Sequence, residues 1–265
     1  MNLLYWRMKT YLLVILLILA PQILSACRPG QLMEGLDDVG RQTSALGDEK
    51  SAEEEKFQLL RLDMVAKQIE GRGISDSQVL DAMRTVPRHQ FVPREYLASA
   101  YNDHPLPIGY GQTITQPYID GLMSEALQLD MGEKVLEIGT GSAYQAAVLA
   151  EMGMEVYTIE IINELADEAK QKLSALDYRQ VAVLNADGYF GWEEHAPFAA
   201  IIVTAAPDHL PQPLVEQLKP GGRLVLPIGP VGATQTLWVF DKDLNGELQA
   251  SNLGAVRFVP LTRQE

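Results

Sequence analysis

Residues 135–144, VLEIGTGSAY, decide the fold of this chain. An apolar strand pattern over 134–138 runs directly into the turn Gly-Thr-Gly at 139–141, and a helical pattern begins just after it. Glycines at a strand-to-helix turn allow a tight bend and close approach of a ligand to the backbone. The pattern therefore predicts a βα unit whose turn binds a small molecule, with a plain βα turn as the alternative.

The turn lacks the features of phosphate-binding loops. A dinucleotide fingerprint reads G-x-G-x-x-G, and Tyr144 stands where its third glycine would be. A bulky residue there hinders close packing of the helix on the strand. The chain also contains no Gly-Lys-Ser/Thr sequence, which excludes a P-loop. A dinucleotide or nucleoside triphosphate is therefore disfavoured as the ligand.

Acidic residues follow the next two predicted strands. Glu160 ends the strand pattern at 155–160, and Asp187-Gly188 follows the one at 181–185. A carboxylate at the first position can accept two hydrogen bonds from a ribose diol. Because the carboxyl ends of parallel strands line one crevice, these acids and the glycine turn predict a single site. This combination is typical of class I methyltransferases, whose donor S-adenosylmethionine carries a ribose and an adenine but no phosphate.

Strand and helix patterns alternate around this stretch. Helical patterns cover 117–127, 143–152, 163–176 and 211–218, and strand patterns cover 134–138, 155–160, 181–185, 199–204 and 223–227. This alternation predicts a parallel sheet with helices on both faces. We therefore expect the α/β fold of the class I methyltransferases, a Rossmann-like architecture.

Two segments depart from the alternation. Strand-like stretches at 236–241 and 255–260, with a turn signal at 243–246, predict an antiparallel C-terminal hairpin at the sheet edge. Residues 103–117 are rich in Gly, Pro and Thr without a regular period. An irregular segment of this length inside a compact domain is usually functional.

The N-terminal part has a different character. Arg7 and Lys9 precede an uncharged apolar run at 11–20, and the string Leu-Ser-Ala-Cys ends at Cys27. The run is short for a membrane span, and the order is typical of a secretory signal peptide. The string also resembles the lipobox of bacterial lipoproteins, which implies cleavage before Cys27 and lipidation of its sulfur.

We therefore predict a signal peptide or membrane anchor over 1–26, a flexible acidic linker over 27–56, and one domain over 57–265. The expected location is the periplasm, where the chain would be a membrane-anchored lipoprotein. An uncleaved anchor is the alternative. A true start at Met33 or Met64 would instead leave the protein in the cytoplasm.

Composition excludes several other partners. The net charge of −14 argues against nucleic-acid binding, which requires a positive footprint. One cysteine and four histidines without metal-ligand spacing predict no metal site. We expect the domain to be monomeric.

Several strings resemble the protein-L-isoaspartate (D-aspartate) O-methyltransferase family. They lie at 88–93 (RHQFVP), 106–118 (LPIGYGQTITQPY), 137–141, 199–207, 219–229 and 256–262. The match runs from about Phe57 to Thr262, and the string at 108–117 is more specific than the cofactor motifs. The resemblance implies methyl transfer from S-adenosylmethionine to the free carboxylate of L-isoaspartyl residues, a repair of damaged proteins.

The resemblance also implies roles for single residues. It places Glu160 at the donor ribose, and Asp187 and Gly188 beside the adenine. The methionine end of the donor would be lined by Glu137, Gly139, Thr140 and Gly141.

The acceptor side is implied in the same way. Gln112, Thr113 and Ile114 would bind the cofactor and cover the reacting centre. A C-terminal segment ending at Thr262, also a cofactor-binding residue, would help to close it. Thr115 would orient the isoaspartyl carboxylate, although members of the family mostly have serine there. Its hydroxyl could instead cap loop backbone.

The predicted chemistry needs no general base. A carboxylate with a pKa of about 4 is already ionised at neutral pH, so the protein has to position it and exclude water. A methyltransferase for another carboxylate or a small molecule is an alternative, but it leaves the string at 112–116 unexplained. An exported binding lipoprotein without turnover is another, because the donor is made in the cytoplasm.

Overall fold

The computed structural model describes residues 51–263. The predictions for the signal peptide or anchor at 1–26, and for most of the linker at 27–56, lie outside the described residues. Of the two units Met1–Lys56 and Phe57–Glu265, the second holds both clefts described below. In the described part of the chain, no helix is long and apolar enough to cross a membrane.

A seven-stranded sheet in the order β5-β4-β3-β6-β7-β8-β9 forms the centre of the domain. Its strands are β3 (Lys134–Ile138), β4 (Glu155–Glu160), β5 (Ala182–Asn185), β6 (Phe198–Val203), β7 (Leu218–Ile228), β8 (Gln235–Lys242) and β9 (Leu248–Val256). Strands β5, β4, β3, β6 and β7 pair in parallel. Strands β8 and β9 continue the sheet antiparallel. The predicted fold class is confirmed.

The helices enclose this sheet on both faces. Within the described residues, the first covers 51–64 (α1) and continues as a π-helical turn over Val65–Ile69. Residues 51–56, the last part of the predicted linker, are thus helical. The others are α2 (Ser77–Thr85), α3 (Pro117–Leu127), α4 (Tyr144–Glu151), α5 (Asn163–Ala175) and α6 (Gln212–Gln217). Asp76 caps α2, because its Oδ1 accepts hydrogen bonds from the backbone N–H groups of Gln78 and Val79 at 2.8 and 3.2 Å.

Two apolar layers bury the central strands. Along β6, Ala200 and Ile202 belong to one core cluster, whereas Ile201 and Val203 belong to the other. Successive side chains of a strand point to opposite faces, so this division places one hydrophobic layer on each side of the sheet. A parallel strand covered on both faces reads as a continuous apolar run, as Phe198–Val203 does.

The predicted strand at 255–260 is wrong. In the turn between β8 and β9, the Asp243 N–H donates to the Glu247 carbonyl at 2.9 Å. The two strands pair directly beside this turn, with Lys242 opposite Leu248. Strand β9 therefore ends at Val256. It is mostly exposed at the sheet edge, so it lacks the apolar pattern on which the prediction depended. The pairing also contains a β-bulge: Leu237 lies opposite Gly254 and Trp238 opposite Asn252, with Leu253 between them.

The segment 103–117 is more regular than predicted. It contains a small antiparallel hairpin of β1 (Leu106–Gly109) and β2 (Gln112–Ile114). Tyr110 and Gly111 form its turn with φ values of 51° and 72°. Positive φ at both central residues is the requirement of a two-residue type I′ turn. Each strand is too short to display a period in the sequence.

Candidate active site

The carboxyl ends of β3, β4 and β6 open into one cleft. Strand β3 connects onward to β4 on one side, whereas its neighbour β6 connects onward to β7 on the other side. Ligands of open α/β sheets bind at such a point, where the strand order reverses. About 700 Å³ of non-atom space, open solvent included, lies within this donor-side cleft. The predicted site residues that line it are Gln112, Thr113, Ile114, Thr115, Glu137, Gly139, Thr140, Gly141, Glu160, Gly188 and Thr262.

The glycine turn has the backbone that its sequence predicts. Gly139 and Gly141 have φ values of 96° and 50°. A Cβ on Gly139 would lie 2.6 Å from Thr204 Oγ1. Glycine is therefore required there both for the backbone conformation and for the space. The Gly139 N–H donates to the Ile159 carbonyl at 2.8 Å, which ties the turn to the end of β4.

Glu160 is held in place by backbone groups. One carboxylate oxygen, Oε2, accepts from the Gly141 N–H at 2.8 Å, and the other, Oε1, accepts from the Ile162 N–H at 3.0 Å. The side chain is buried at the wall of the cleft. A carboxylate has about four acceptor positions. Glu160 can therefore accept two further hydrogen bonds, as a ribose diol requires.

Glu137 is a fully buried acid at the end of β3. Burial raises its pKa to about 8, although the hydrogen bond from Thr158 opposes the shift; the nearby Asp120 and Glu160 charges raise the pKa further. The Thr158 hydroxyl donates to Oε2 at 2.5 Å. An anionic Glu137 would be costly in such an environment without a cationic partner. A methyl donor that carries an ammonium and a sulfonium group supplies such a cationic partner.

Unpaired polar atoms mark the same cleft. In the described range 51–263, six buried side-chain atoms have no hydrogen-bond partner, and three of them are Glu137 Oε1, the Tyr144 hydroxyl and Gln145 Oε1. All three residues line the cleft. Buried polar groups are normally hydrogen-bonded. Their arrangement fits a polar ligand with donor groups, such as S-adenosylmethionine.

The structure separates Asp187 from the other predicted residues. Its Oδ1 accepts from the Tyr189 N–H at 3.0 Å, and its Oδ2 accepts from Arg263 Nε at 2.9 Å. Asp187 is not among the residues that line the cleft, whereas Gly188 is. A Cβ on Gly188 would lie 2.5 Å from Ile138 Cγ2, so a larger residue would collide with β3.

Several lining residues were not predicted from the sequence, among them Asp120, Ser142, Tyr144, Gln145 and Thr204. Burial raises the pKa of Asp120 to about 7, although the adjacent Arg88 guanidinium lowers it. The sequence did contain an indication of Asp120, which is an acid among apolar residues in the helical pattern at 117–127. That pattern begins where the family-specific string at 108–117 ends. Thr204 directly follows β6, and its hydroxyl donates to the Gly139 carbonyl at 2.6 Å.

A second cleft adjoins the first. It shares Thr113, Thr115, Thr204 and Val259 with the donor-side cleft. Its outer wall is formed by the end of β9 and the following residues, including Arg257 and Phe258. Arg257 is exposed and makes no ion pair or hydrogen bond with any side chain in the described part of the chain. This acceptor-side cleft therefore presents a free cation.

Comparisons with known proteins point to one family. The family described as protein-L-isoaspartate(D-aspartate) O-methyltransferase matches residues 61–265. A protein-L-isoaspartate O-methyltransferase of Gloeobacter violaceus is 54% identical over 202 residues, which are 76% of this chain and 98% of that protein.

Solved structures have the same fold. One protein-L-isoaspartate O-methyltransferase is 30% identical with a TM-score of 0.71, and the match covers 77% of this chain and 66% of the other. A Plasmodium falciparum protein solved with S-adenosyl-L-homocysteine has the same fold, with a TM-score of 0.65 at 24% identity; the match covers 77% of this chain and 99% of that one.

Proposed function

Because the chain belongs to the protein-L-isoaspartate(D-aspartate) O-methyltransferase family and is an S-adenosylmethionine-dependent methyltransferase of isoaspartyl proteins, we propose that its two clefts divide the reaction between them. The donor-side cleft binds S-adenosylmethionine, and the acceptor-side cleft binds the polypeptide around the isoaspartyl residue. The observation that carries this division is that Thr115 lines both clefts.

In the donor-side cleft, different residues contact different parts of S-adenosylmethionine. The turn at 139–141 approaches the methionine end, Glu137 pairs with its ammonium, and Glu160 accepts the ribose hydroxyls. Gly188 leaves room for the adenine. The bound donor supplies a methyl group on a positively charged sulfur. Gln112, Thr113, Ile114 and Thr262 cover the reacting centre, where exclusion of water strengthens each polar contact.

Thr115 orients the acceptor. Its hydroxyl donates a hydrogen bond to one oxygen of the isoaspartyl carboxylate and leaves the other oxygen free to take the methyl group. The carboxylate is ionised at neutral pH. No proton has to be removed, and rate depends on the alignment of oxygen and methyl carbon.

Methyl transfer to a matched pair of peptides tests this proposal. The purified protein is incubated with labelled S-adenosylmethionine and with peptides that differ only in carrying L-isoaspartate or aspartate. We expect base-labile methyl groups on the isoaspartyl peptide alone. Donor binding without transfer to either peptide would contradict the proposed acceptor, and absence of donor binding would contradict the assignment of the first cleft.

We also propose that the chain is attached to a membrane through Cys27. Support comes from the charged, apolar and small-residue order of 1–27. The test is fractionation of bacterial cells that produce the wild type or Cys27→Ser in the presence of labelled fatty acid. We expect label and membrane association in the wild type only. Unlabelled, cytosolic wild-type protein would instead indicate a start at Met33 or Met64.

A further inference from the structure

Arg88 is among the largest fully buried side chains of the described residues. It follows α2 in the sequence, yet each of its three guanidinium nitrogens contacts a different segment. Nε donates to the Ala100 carbonyl at 3.0 Å, Nη1 to Asp120 Oδ2 at 3.0 Å, and Nη2 to the Thr115 carbonyl at 2.5 Å. One buried cation therefore holds three separate parts of the chain.

Two of the three residues that accept hydrogen bonds from Arg88 line the clefts. Thr115 lines both clefts, and Asp120 lines the donor-side cleft from the first turns of α3. The Arg88 guanidinium also lies over the ring of Tyr144, 4.7 Å from its centroid, and Tyr144 lines the donor-side cleft too. Arg88 itself lines neither cleft. It therefore acts on the site through other residues.

The geometry suits a positioning role. Threonine is β-branched, so its χ1 is restricted and the backbone largely determines where its hydroxyl points. The contact at the Thr115 carbonyl fixes the peptide plane that follows this residue, and the contact at Asp120 fixes the helix that this peptide enters. A planar guanidinium serves several acceptors in set directions, which a lysine ammonium cannot reproduce.

We propose that Arg88 is a positioning residue for methyl transfer, which holds the Thr115 backbone against Asp120 so that the Thr115 hydroxyl meets the acceptor carboxylate. This inference rests on the role proposed above for Thr115. It predicts that the effect of Arg88 on rate passes through the Thr115 hydroxyl. A purely structural anchor would instead lower activity independently of that hydroxyl.

A double-mutant cycle separates these cases, because coupled residues give non-additive effects. The variants are Arg88→Lys, Thr115→Val and the double variant, assayed for kcat and KM with an isoaspartyl peptide. We expect Arg88→Lys alone to lower kcat about tenfold or more, since small misplacements have effects of this size. In the Thr115→Val background, the same change should cost less than about twofold.

Donor binding and a matched arginine serve as controls. Calorimetry with S-adenosylhomocysteine should show nearly unchanged affinity in Arg88→Lys. Arg84→Lys changes an arginine that pairs with Asp81 and Glu70 on the surface, outside both clefts. It should leave kcat unchanged.

Equal losses in both Thr115 backgrounds would overturn the proposed link while leaving the role of Thr115 intact. Full activity of Thr115→Val alone would remove that role, and the proposal with it. If Arg88→Lys does not fold, the same cycle is run with Asp120→Asn, which keeps the side-chain shape. Additive losses with Asp120→Asn would equally overturn the proposal.

Discussion

The Thr204 hydroxyl donates to the carbonyl oxygen of Gly139 at 2.6 Å and to that of Ile138 at 3.1 Å. This contact joins the end of β6 to the glycine turn after β3. The turn is thus held by a residue that follows β6, and β6 lies on the opposite side of β3 from the strand that carries Glu160.

Gly139→Ala should therefore damage the donor site. The new Cβ would meet Thr204 Oγ1 at 2.6 Å on a backbone with φ of 96°. Backbone strain of this kind costs about 1–3 kcal/mol. The matched control is Gly132→Ala, which has φ of 86° and no atom within 4 Å of the new Cβ. We expect both variants to lower the free energy of unfolding, and only Gly139→Ala to weaken donor binding by calorimetry. Equal donor affinity in the two variants would contradict this prediction.

Substitutions of Thr115 should depend on the hydroxyl alone. Thr115→Ser keeps the donor group and removes a methyl group, so activity should be retained or raised. Thr115→Val keeps the shape and removes the hydroxyl. Because a hydrogen bond to a charged group contributes about 1.5–3 kcal/mol, kcat/KM should fall about tenfold to a hundredfold. Wild-type kinetics in the valine variant would refute the role.

Glu160→Gln should mainly weaken donor binding. The amide keeps the size of the side chain but offers fewer acceptor positions and no charge. We expect the Kd for S-adenosylhomocysteine to rise about tenfold or more. Glu155→Gln, at the exposed start of the same strand, is the control and should bind normally. An unchanged Kd in Glu160→Gln would exclude the ribose contact.

Stability should fall as pH rises through the neutral range. The pKa of Asp120 is raised from 3.8 to about 7, and that of Glu137 from 4.5 to about 8. At a pH above the ordinary pKa of each carboxyl and below its raised pKa, the folded protein holds a proton that the unfolded chain has released. Each unit of increase in pH within this range therefore lowers the free energy of unfolding. Denaturant titrations from pH 5 to pH 8 should show this slope, and Glu137→Gln should flatten it. A variant with the wild-type slope would show that Glu137 keeps an ordinary pKa.

Arg257 should set a charge preference for the acceptor. It is a free cation at the wall of the acceptor-side cleft. For Arg257→Glu we expect KM to rise several-fold for an isoaspartyl peptide with flanking glutamates, and to fall for one with flanking lysines. Added salt should reduce both effects. Arg94→Glu, an exposed arginine that lines neither cleft, should leave the two KM values unchanged. If Arg257→Glu has the wild-type KM for each of the two peptides, Arg257 does not set a charge preference.

The parallel part of the fold was predictable because its strands are buried on both faces. Strands β3 and β4 have the bounds that their apolar runs predict, 134–138 and 155–160. Strand β9 was misplaced because an exposed edge strand carries no such run. Strands β1 and β2 span only a few residues each, so neither could display a period.

The glycine turn and Glu160 were predictable because a local pattern places them at strand ends. The pairing of Arg88 with Asp120 was not, since the two residues are 32 positions apart and only the packed domain brings them together. The same limit applies to Asp187. Its position after β5 is correct, but its contact with Arg263 depends on the path of the C-terminal segment.

The bulge in β9 has a consequence for an enzyme whose substrates are damaged chains. An outer strand with free N–H and C=O groups is a template on which another extended chain can assemble. The extra residue Leu253 interrupts the regular row of N–H and C=O groups along this strand. In addition, Asn252 Oδ1 accepts a hydrogen bond from the Gly254 N–H at 2.7 Å. The bulge thereby makes the sheet edge beside the acceptor-side cleft a poorer template for pairing with another extended chain.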